Sequence, residues 1–231
     1  MTDLLLSIIN HKKPEINFMF TGLIKAICTV KSAYTTGGGM HLAIDLGKLA
    51  KESKIGDSIA INGVCLTIAQ LRDSFAEFEV SSETLTKSTL GKLKSSSAVN
   101  AELAMKATDR FGGHFVLGHI DGVATIKAIS RQGQFADIKF AANPKLLAQM
   151  VVKGSVAVDG ISLTIANMDE DSFSVAVIPE TLKGTTLGGA KIGDMVNIET
   201  DIIIKTIKKQ LEKILPQKQS LTTERLKELG F

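Results

Sequence analysis

The chain carries one long stretch of sequence twice, and that duplication limits its fold more than any other feature. Residues 60–69, AINGVCLTIA, lie over residues 157–166, AVDGISLTIA, with six of ten positions identical and the other four conservative in size or polarity. SSETLTKSTLG at 81–91 matches IPETLKGTTLG at 178–188 at the same offset of 97, and TGLIKAICTV at 21–30 matches LGHIDGVATI at 117–126 at an offset of 96. A unit this long that occurs only twice is a duplicated domain, because a solenoid needs three or more short units to bury a continuous core. The 231 residues allow each copy roughly 100 residues and its own core. The expected divisions are an N-terminal extension over 1–18, a first domain over 19–110, a second over 111–201, and a C-terminal segment over 202–231.

Within each copy apolar residues alternate in short runs, as in SIAINGVCLTIA, AEFEVS and SVAVDGISLTIA, separated by Gly- or Asp-rich turns. That period reads as β-strand, and several short strands joined by tight turns predict a small closed barrel or sandwich in each half. Residues 143–152, NPKLLAQMVV, predict a short helix after an Asn cap with Pro in the first turn, with GKLAKES at 47–53 as its counterpart. IIIKTIKKQLEKIL at 202–215 has helical spacing and stops at Pro216, and SLTTERLKELGF at 220–231 predicts a second short helix. A terminal amphipathic helix with no barrel left to cover is a candidate for subunit association.

Charge and composition remove several function classes. The formal charge is +3, with 27 Lys+Arg spread among 24 Asp+Glu and no basic run interleaved with aromatics, so a nucleic-acid partner is not expected. No apolar run approaches the roughly 18 residues of a membrane-spanning helix. The opening MTDLLLSIINHKK lacks a positive n-region, a long enough apolar stretch and a cleavage site, so it does not read as a signal peptide. The expected location is the cytoplasm, where Cys28 and Cys65 remain thiols.

MFTG at 19–22, NGVCLT at 62–67, GGHFVLGHIDG at 112–122, KGSVAVDGISLT at 153–164, IPETL at 178–182 and GDMVNIETD at 193–201 together resemble the riboflavin synthases of alpha-chain type over about 19–231. The resemblance implies an all-β fold of two tandem six-stranded antiparallel Greek-key barrels, each binding one lumazine, followed by a C-terminal helix that holds a homotrimer together. It implies conversion of two molecules of 6,7-dimethyl-8-ribityllumazine into riboflavin and 5-amino-6-ribitylaminouracil, with no metal and no organic cofactor. Active sites between subunits, each taking two substrate molecules, and association with lumazine synthase are also implied. Two departures stand out. Eighteen residues precede Met19, where the family usually begins, so either Met19 is the true start, which we favour, or the extension curls away from the site. SSSAVN at 95–100 has no glycine where IGDMVN at 192–197 has Gly193, which predicts a looser loop.

The reaction needs one substrate to lose a methyl proton while the other accepts a nucleophile, so two identical ligands must sit in unequal surroundings. A diverged pair of domains supplies this, with the thiol of Cys65 in one copy where the other has the hydroxyl of Ser162. Alignment of the two rings can itself remove roughly 7 to 11 kcal/mol from a barrier. By resemblance the catalytic candidates are Cys65, His114, His119, Ser162 and Asp201. Phe20, Thr21, Gly22, Thr67, Glu83, Thr84, Gly118, Lys153, Gly160, Ile161, Thr164, Ile178, Glu180 and Thr181 are the substrate-binding candidates. Plainer roles compete: a half-buried strand cysteine for Cys65, strand hydroxyls bonding backbone for Thr67, Ser162 and Thr164, a loop-bonded histidine for His114 and His119, a helix N-cap for Asp201, and a solvated turn lysine for Lys153. His114 and His119, five apart, have no third ligand at a usual metal spacing.

A non-catalytic lumazine- or flavin-binding protein of the same fold is the main alternative, since such proteins keep the pocket and lose the reactive groups. A flavin oxidoreductase domain is the third reading. It lacks support because no GxGxxG follows a strand, and TTGGGM at 35–40 reads as a mobile turn.

Overall fold

The computed structural model describes residues 19–214. The first copy of the repeat contributes strands β1 (Ala26–Thr36), β2 (Gly39–Asp45), β3 (Ser58–Ile61), β4 (Val64–Thr67), β5 (Gln70–Arg72), β6 (Phe75–Ser81) and β7 (Ala98–Leu103). The second contributes β8 (Gly122–Gln132), β9 (Phe135–Ala141), β10 (Ser155–Val158), β11 (Ile161–Met168), β12 (Ser172–Val177) and β13 (Met195–Thr200). β10-β11-β12-β9-β8-β13 form a closed six-stranded barrel, while the first sheet runs β4-β3-β7-β1-β2-β6-β5. The seventh strand of that sheet is not an addition. β4 and β5 together occupy the place of β11, and the chain breaks its ladder between them at Ile68 and Ala69 before Ala69 N–H rejoins Glu77 carbonyl at 2.8 Å. The second copy is therefore a closed six-stranded barrel, whereas the first, expected to be the same, is a half-barrel whose edge strands β4 and β5 are joined by chain and not by a hydrogen-bonded ladder.

Strict alternation explains the cores. Met40, Leu42 and Ile44 of β2 face Ala76, Phe78 and Val80 of β6 inside one barrel, and Ala136, Ile138 and Phe140 of β9 face Phe173, Val175 and Val177 of β12 inside the other. Phe140 and Phe173 are directly paired across the strands and stack with centroids 5.1 Å apart, worth about 0.5–1.5 kcal/mol beyond area burial. These interiors are filled by side chains, so a ligand must bind outside the barrels.

The helices differ from expectation in detail. Asn143 caps a helix, α2, as predicted, accepting the Lys145 amide at 2.8 Å, but α2 spans only Pro144–Leu147. After Leu147 the chain tightens, with the Gln149 and Met150 amides donating to the Leu146 and Leu147 carbonyls at 3.0 Å, and then turns at Lys153 with φ 68°. Its counterpart is a single 3-10 stretch, Gly47–Glu52. The two ETL segments form short helices that period alone did not reveal, α1 (Ser82–Lys87) and α3 (Pro179–Gly184). The last element, α4 (Ile202–Ile214), forms over the predicted span and leaves Ile203, Ile207, Leu211 and Ile214 exposed. The predicted helix over 220–231 and the extension over 1–18 lie outside the described residues.

The barrels meet about a pseudo-two-fold axis. β3–β4 and β10–β11 are joined by Asn62–Gly63 and Asp159–Gly160, both residues of each pair at positive φ, the two-residue hairpin turn that Asn-Gly and Asp-Gly favour. The tips touch: a Cβ on Gly63 would come within 2.6 Å of the Gly160 nitrogen. Buried Asn100 and Asn197 lock the tips across the axis. Asn100 Nδ2 donates to Asp159 carbonyl at 3.0 Å, and Asn197 Nδ2 donates to Asn62 carbonyl at 2.8 Å. Each also accepts an amide from the other copy, Thr186 N–H to Asn100 and Thr89 N–H to Asn197, at 2.8 and 2.7 Å. Each Asn thus satisfies polar groups that burial would otherwise leave orphaned, and does so on both barrels at once.

Candidate active site

Of the residues singled out from sequence, Cys65, Glu83, Thr84, Gly118 and His119 come together on the first barrel and Ser162, His114 and Asp201 on the second, while the others, Phe20, Thr21 and Gly22 aside, lie apart from these groups. On the first barrel, a cleft of about 240 Å³ is lined by Cys65, Glu83, Thr84, Gly118 and His119, together with Val64, Lys87, Ser88 and Ile120. Cys65 lies on β4 with its side chain on the face opposite the core residues Val64 and Leu66, and Thr67 follows on that outer face, exposed. Thr84 belongs to α1, whose N-cap Ser81 accepts the Thr84 amide at 3.2 Å, and exposed Glu83 pairs with Lys87 at 2.7 Å. His119 is exposed at the mouth.

On the second barrel, Ser162 takes the place of Cys65 on β11. Its hydroxyl lies 2.8 Å from His114 Nδ1, while His114 Nε2 is buried with no hydrogen-bond partner among the described residues. Burial holds the His114 imidazole below its ordinary proton affinity, partly offset by the charge of Asp201. A neutral imidazole against a hydroxyl can accept a proton, the state a general base requires. Asp201 also fulfils its plainer role: its carboxylate accepts the Ile203 amide at 2.9 Å at the start of α4. Thr164 is exposed two residues along β11 from Ser162, and Ile178, Glu180 and Thr181 stand at the head of α3 as Ser81, Glu83 and Thr84 do at α1. Lys153 occupies an exposed turn and its amide donates to Ile165 carbonyl at 2.8 Å. Gly160 and Ile161 are buried at the hairpin tip.

The Cys65 thiol is not an activated thiolate. Burial raises its pKa and the nearby Glu199 carboxylate adds to the rise, opposed by the Ser58 hydroxyl. It is therefore protonated at neutral pH and can donate a hydrogen bond.

Two arms close these places from the opposite side, and they cross the axis. Phe20 and Val116, equivalent in the repeat, bridge each other with N···O distances of 2.8 and 3.2 Å, and both are wholly buried with Ala60 and Ala157 between the barrels. Phe20 thus packs under the site and has no exposed surface in this chain. After it, Gly22 carbonyl accepts the Ser162 amide at 2.8 Å, and Gly118 carbonyl accepts the Cys65 amide at 3.0 Å. Both glycines sit at positive φ, and a Cβ on Gly22 would lie 2.6 Å from that of Ser162, while one on Gly118 would collide with Cys65. Thr21 is buried, its hydroxyl donating to Glu102 at 2.7 Å, so that hydroxyl is already engaged.

Sequence reasoning missed Glu102 and Glu199. Each carboxylate takes two successive arm amides: Thr21 and Gly22 on Glu102 at 2.7 and 2.9 Å, Leu117 and Gly118 on Glu199 at 2.8 and 2.9 Å. Burial raises the proton affinity of both, to about 7 for Glu199. The available signal was their recurrence as VNAE and VNIE at offset 97, a charged residue repeated inside an otherwise apolar strand. Among the described residues, larger clefts of about 740, 670 and 430 Å³ lie along the hairpin tips, beside Thr21 and the Glu102 arm, and beside Glu52 and Lys106. Among the described residues no three His, Cys, Asp or Glu side chains converge as metal ligands, and no helix is long and apolar enough to cross a membrane.

The Lumazine binding domain family matches residues 21–104 and 117–201, once on each barrel. The riboflavin synthase of Actinobacillus pleuropneumoniae is 41% identical over 215 residues, covering 92% of this chain and 100% of that protein, and the riboflavin synthase of Bacillus subtilis (strain 168) is 40% identical with the same coverage. Among solved structures, LumP complexed with 6,7-dimethyl-8-(1'-D-ribityl) lumazine superposes with a TM-score of 0.72 at 21% identity over 79% of this chain and 99% of that one, and LumP complexed with riboflavin with 0.74 at 21%. LumP shares the fold, whereas near full-length identity of about 40% with enzymes carries more: the chain belongs to the riboflavin synthase family, with two lumazine-binding domains in tandem.

Proposed function

We propose that this chain catalyses the dismutation of two 6,7-dimethyl-8-ribityllumazine molecules, moving a four-carbon unit from one to the other to yield riboflavin and 5-amino-6-ribitylaminouracil, the last step of riboflavin biosynthesis. The observation that carries the reading is the unequal pair of equivalent sites: a protonated thiol beside His119 on one barrel, and a hydroxyl bonded to a neutral His114 near Asp201 on the other. Identical ligands held in these two places meet different chemistry, which the reaction demands.

In this reading Ser162, Thr164 and Thr67 bond the heterocycle edges, and Glu83, Thr84, Glu180 and Thr181 receive the ribityl hydroxyls. Ile178 and Ile161 supply apolar contact, and Lys153 meets a ring carbonyl or a ribityl hydroxyl. His114, with Ser162 and Asp201, takes the methyl proton, while Cys65 and His119 orient the nucleophile at the second ring. The exposed apolar stripe of α4 supports a homotrimer in which the first barrel of one subunit faces the second barrel of a neighbour, two substrates between them. No metal or organic cofactor enters the scheme. The enzyme works in the cytoplasm, with lumazine synthase as the partner that supplies its substrate.

Incubating the purified full chain with the lumazine and following riboflavin absorbance tests the proposal. Formation of riboflavin with the pyrimidine product in equal amounts is expected. Tight lumazine binding with no riboflavin formed would overturn it in favour of a carrier resembling LumP.

A further inference from the structure

The reacting side chains of each barrel rest on an arm whose backbone is fixed by the other barrel. Thr21 and Gly22 donate their amides to Glu102 of β7, in the first barrel, yet Thr21 carbonyl accepts the His114 amide at 3.2 Å and Gly22 carbonyl accepts the Ser162 amide at 2.8 Å. Leu117 and Gly118 donate to Glu199 of β13, in the second barrel, yet Gly118 carbonyl accepts the Cys65 amide and His119 follows directly at the first barrel's cleft. Glu102 and Glu199 are both 2% exposed. A buried carboxylate is costly in an apolar setting unless hydrogen bonds or a charge partner compensate it, and here the compensating donors are arm amides. Two oxygens accepting two successive amides, one each, set both the position and the rotation of a peptide segment.

We propose that Glu102 and Glu199 are crossed positioning residues for the dismutation: the carboxylate of each barrel sets the backbone that places the reacting groups of the opposite barrel. Glu199 places Cys65 and His119, and Glu102 places Ser162 and His114. Neither touches substrate. The inference rests on the function proposed above for its kinetic consequence, but the crossed pattern itself is structural. The same crossing explains why glycine is required at Gly22 and Gly118, where the arm lies so close to Ser162 and Cys65 that a side chain has no room.

E199Q and E102Q, made in the full chain, test the proposal. Glutamine keeps the shape but presents an NH2 donor to one of the two donating amides. Expected from backbone ¹⁵N shifts is a crossed response: E199Q moves the Cys65 amide and leaves that of Ser162, and E102Q moves the Ser162 and His114 amides and leaves that of Cys65. Turnover should fall about 100-fold in each, the scale of an ångström-level misplacement, with the KM for 6,7-dimethyl-8-ribityllumazine much less affected. Perturbation confined to the barrel that carries the substituted Glu, equal perturbation of both barrels, or shifted amides with full turnover would each refute it. Where a Gln variant fails to fold, E199D or E102D, with the charge kept and one methylene removed, is read in its place, and failure of both variants at a position counts against a positioning role. Because the shifts are read without turnover, a wild-type chain that forms no riboflavin would sink the proposed function while leaving the crossing to be judged by the spectra alone.

Discussion

Asp159→Asn should stabilise the protein, and only at neutral to alkaline pH. Asp159 is 7% exposed at the β10–β11 tip, and its Oδ1 accepts the Asn197 amide at 2.8 Å. No cation pairs with it among the described residues, and burial pushes its carboxyl up from 3.8 to about 7. The equivalent place in the first barrel is held by Asn62, whose Oδ1 accepts the Asn100 amide at the same 2.8 Å, so the fold has already accepted an amide in this geometry. Between pH 4 and 7, roughly, the folded protein holds a proton at Asp159 that the unfolded chain has released. Stability from this group is therefore complete below about pH 4 and is lost as pH rises through 7. At about 1.36 kcal/mol per pH unit, the displacement amounts to roughly 4 kcal/mol at pH 8, an upper bound because water and local relaxation soften it. Urea unfolding followed by circular dichroism, at one protein concentration so that assembly is held constant, should show D159N more stable by about 2–4 kcal/mol at pH 8 and little changed near pH 4. Glu199, also raised by burial to about 7, imposes the same pH trend on both proteins and cancels in the difference. An equal gain at both pH values, or no gain at pH 8, would refute the reasoning.

Gly118→Ala combines a left-handed backbone, about 1–2 kcal/mol, with overpacking against Cys65, about 1–3 kcal/mol more, whereas Gly56→Ala, at φ 90° with open space around it, carries only the first cost; equal midpoint shifts for the two in urea would show that the arm does not press on Cys65. Ser96→Gly should raise stability by about 0.5–1 kcal/mol, because Ser96 is held at φ 69° in the turn where the second copy has Gly193 at φ 95°, and glycine's greater freedom in the unfolded chain offsets part of the relief; a lowered melting temperature would contradict this. Under the proposed role of the thiol at the reacting ring, Cys65→Ala should reduce turnover about 100-fold or more with little change in lumazine dissociation constant; parallel losses in both would assign it to ground-state binding.

The departure at SSSAVN illustrates how far local sequence reaches. Lack of glycine predicted a looser loop, yet Ser96 N–H bonds Val30 carbonyl at 2.9 Å just as Gly193 N–H bonds Ile126 carbonyl at 2.9 Å. The turn is the same in both copies, with Ser96 forced into the left-handed region, because the paired strands on either side fix the path regardless of the residue's preference. The over-long helix expected at 143–152 failed for a related reason. Leu146, Leu147 and Met150 had to seal the end of the barrel, and the chain had to re-enter β10 immediately afterwards.

Local chemistry was legible from the residues alone. Alternating apolar positions established the strands and the duplication established two like domains, whereas the hairpin tips at Asn62–Gly63 and Asp159–Gly160 fall inside SIAINGVCLTIA and SVAVDGISLTIA, which read as continuous runs. Which residues meet across the axis was decided only by the tertiary structure. Asn100 reaches Asp159 across 59 positions of chain and Asn197 reaches Asn62 across 135. Contacts at such separations leave no period in the sequence, because they arise from the docking of one finished barrel on another.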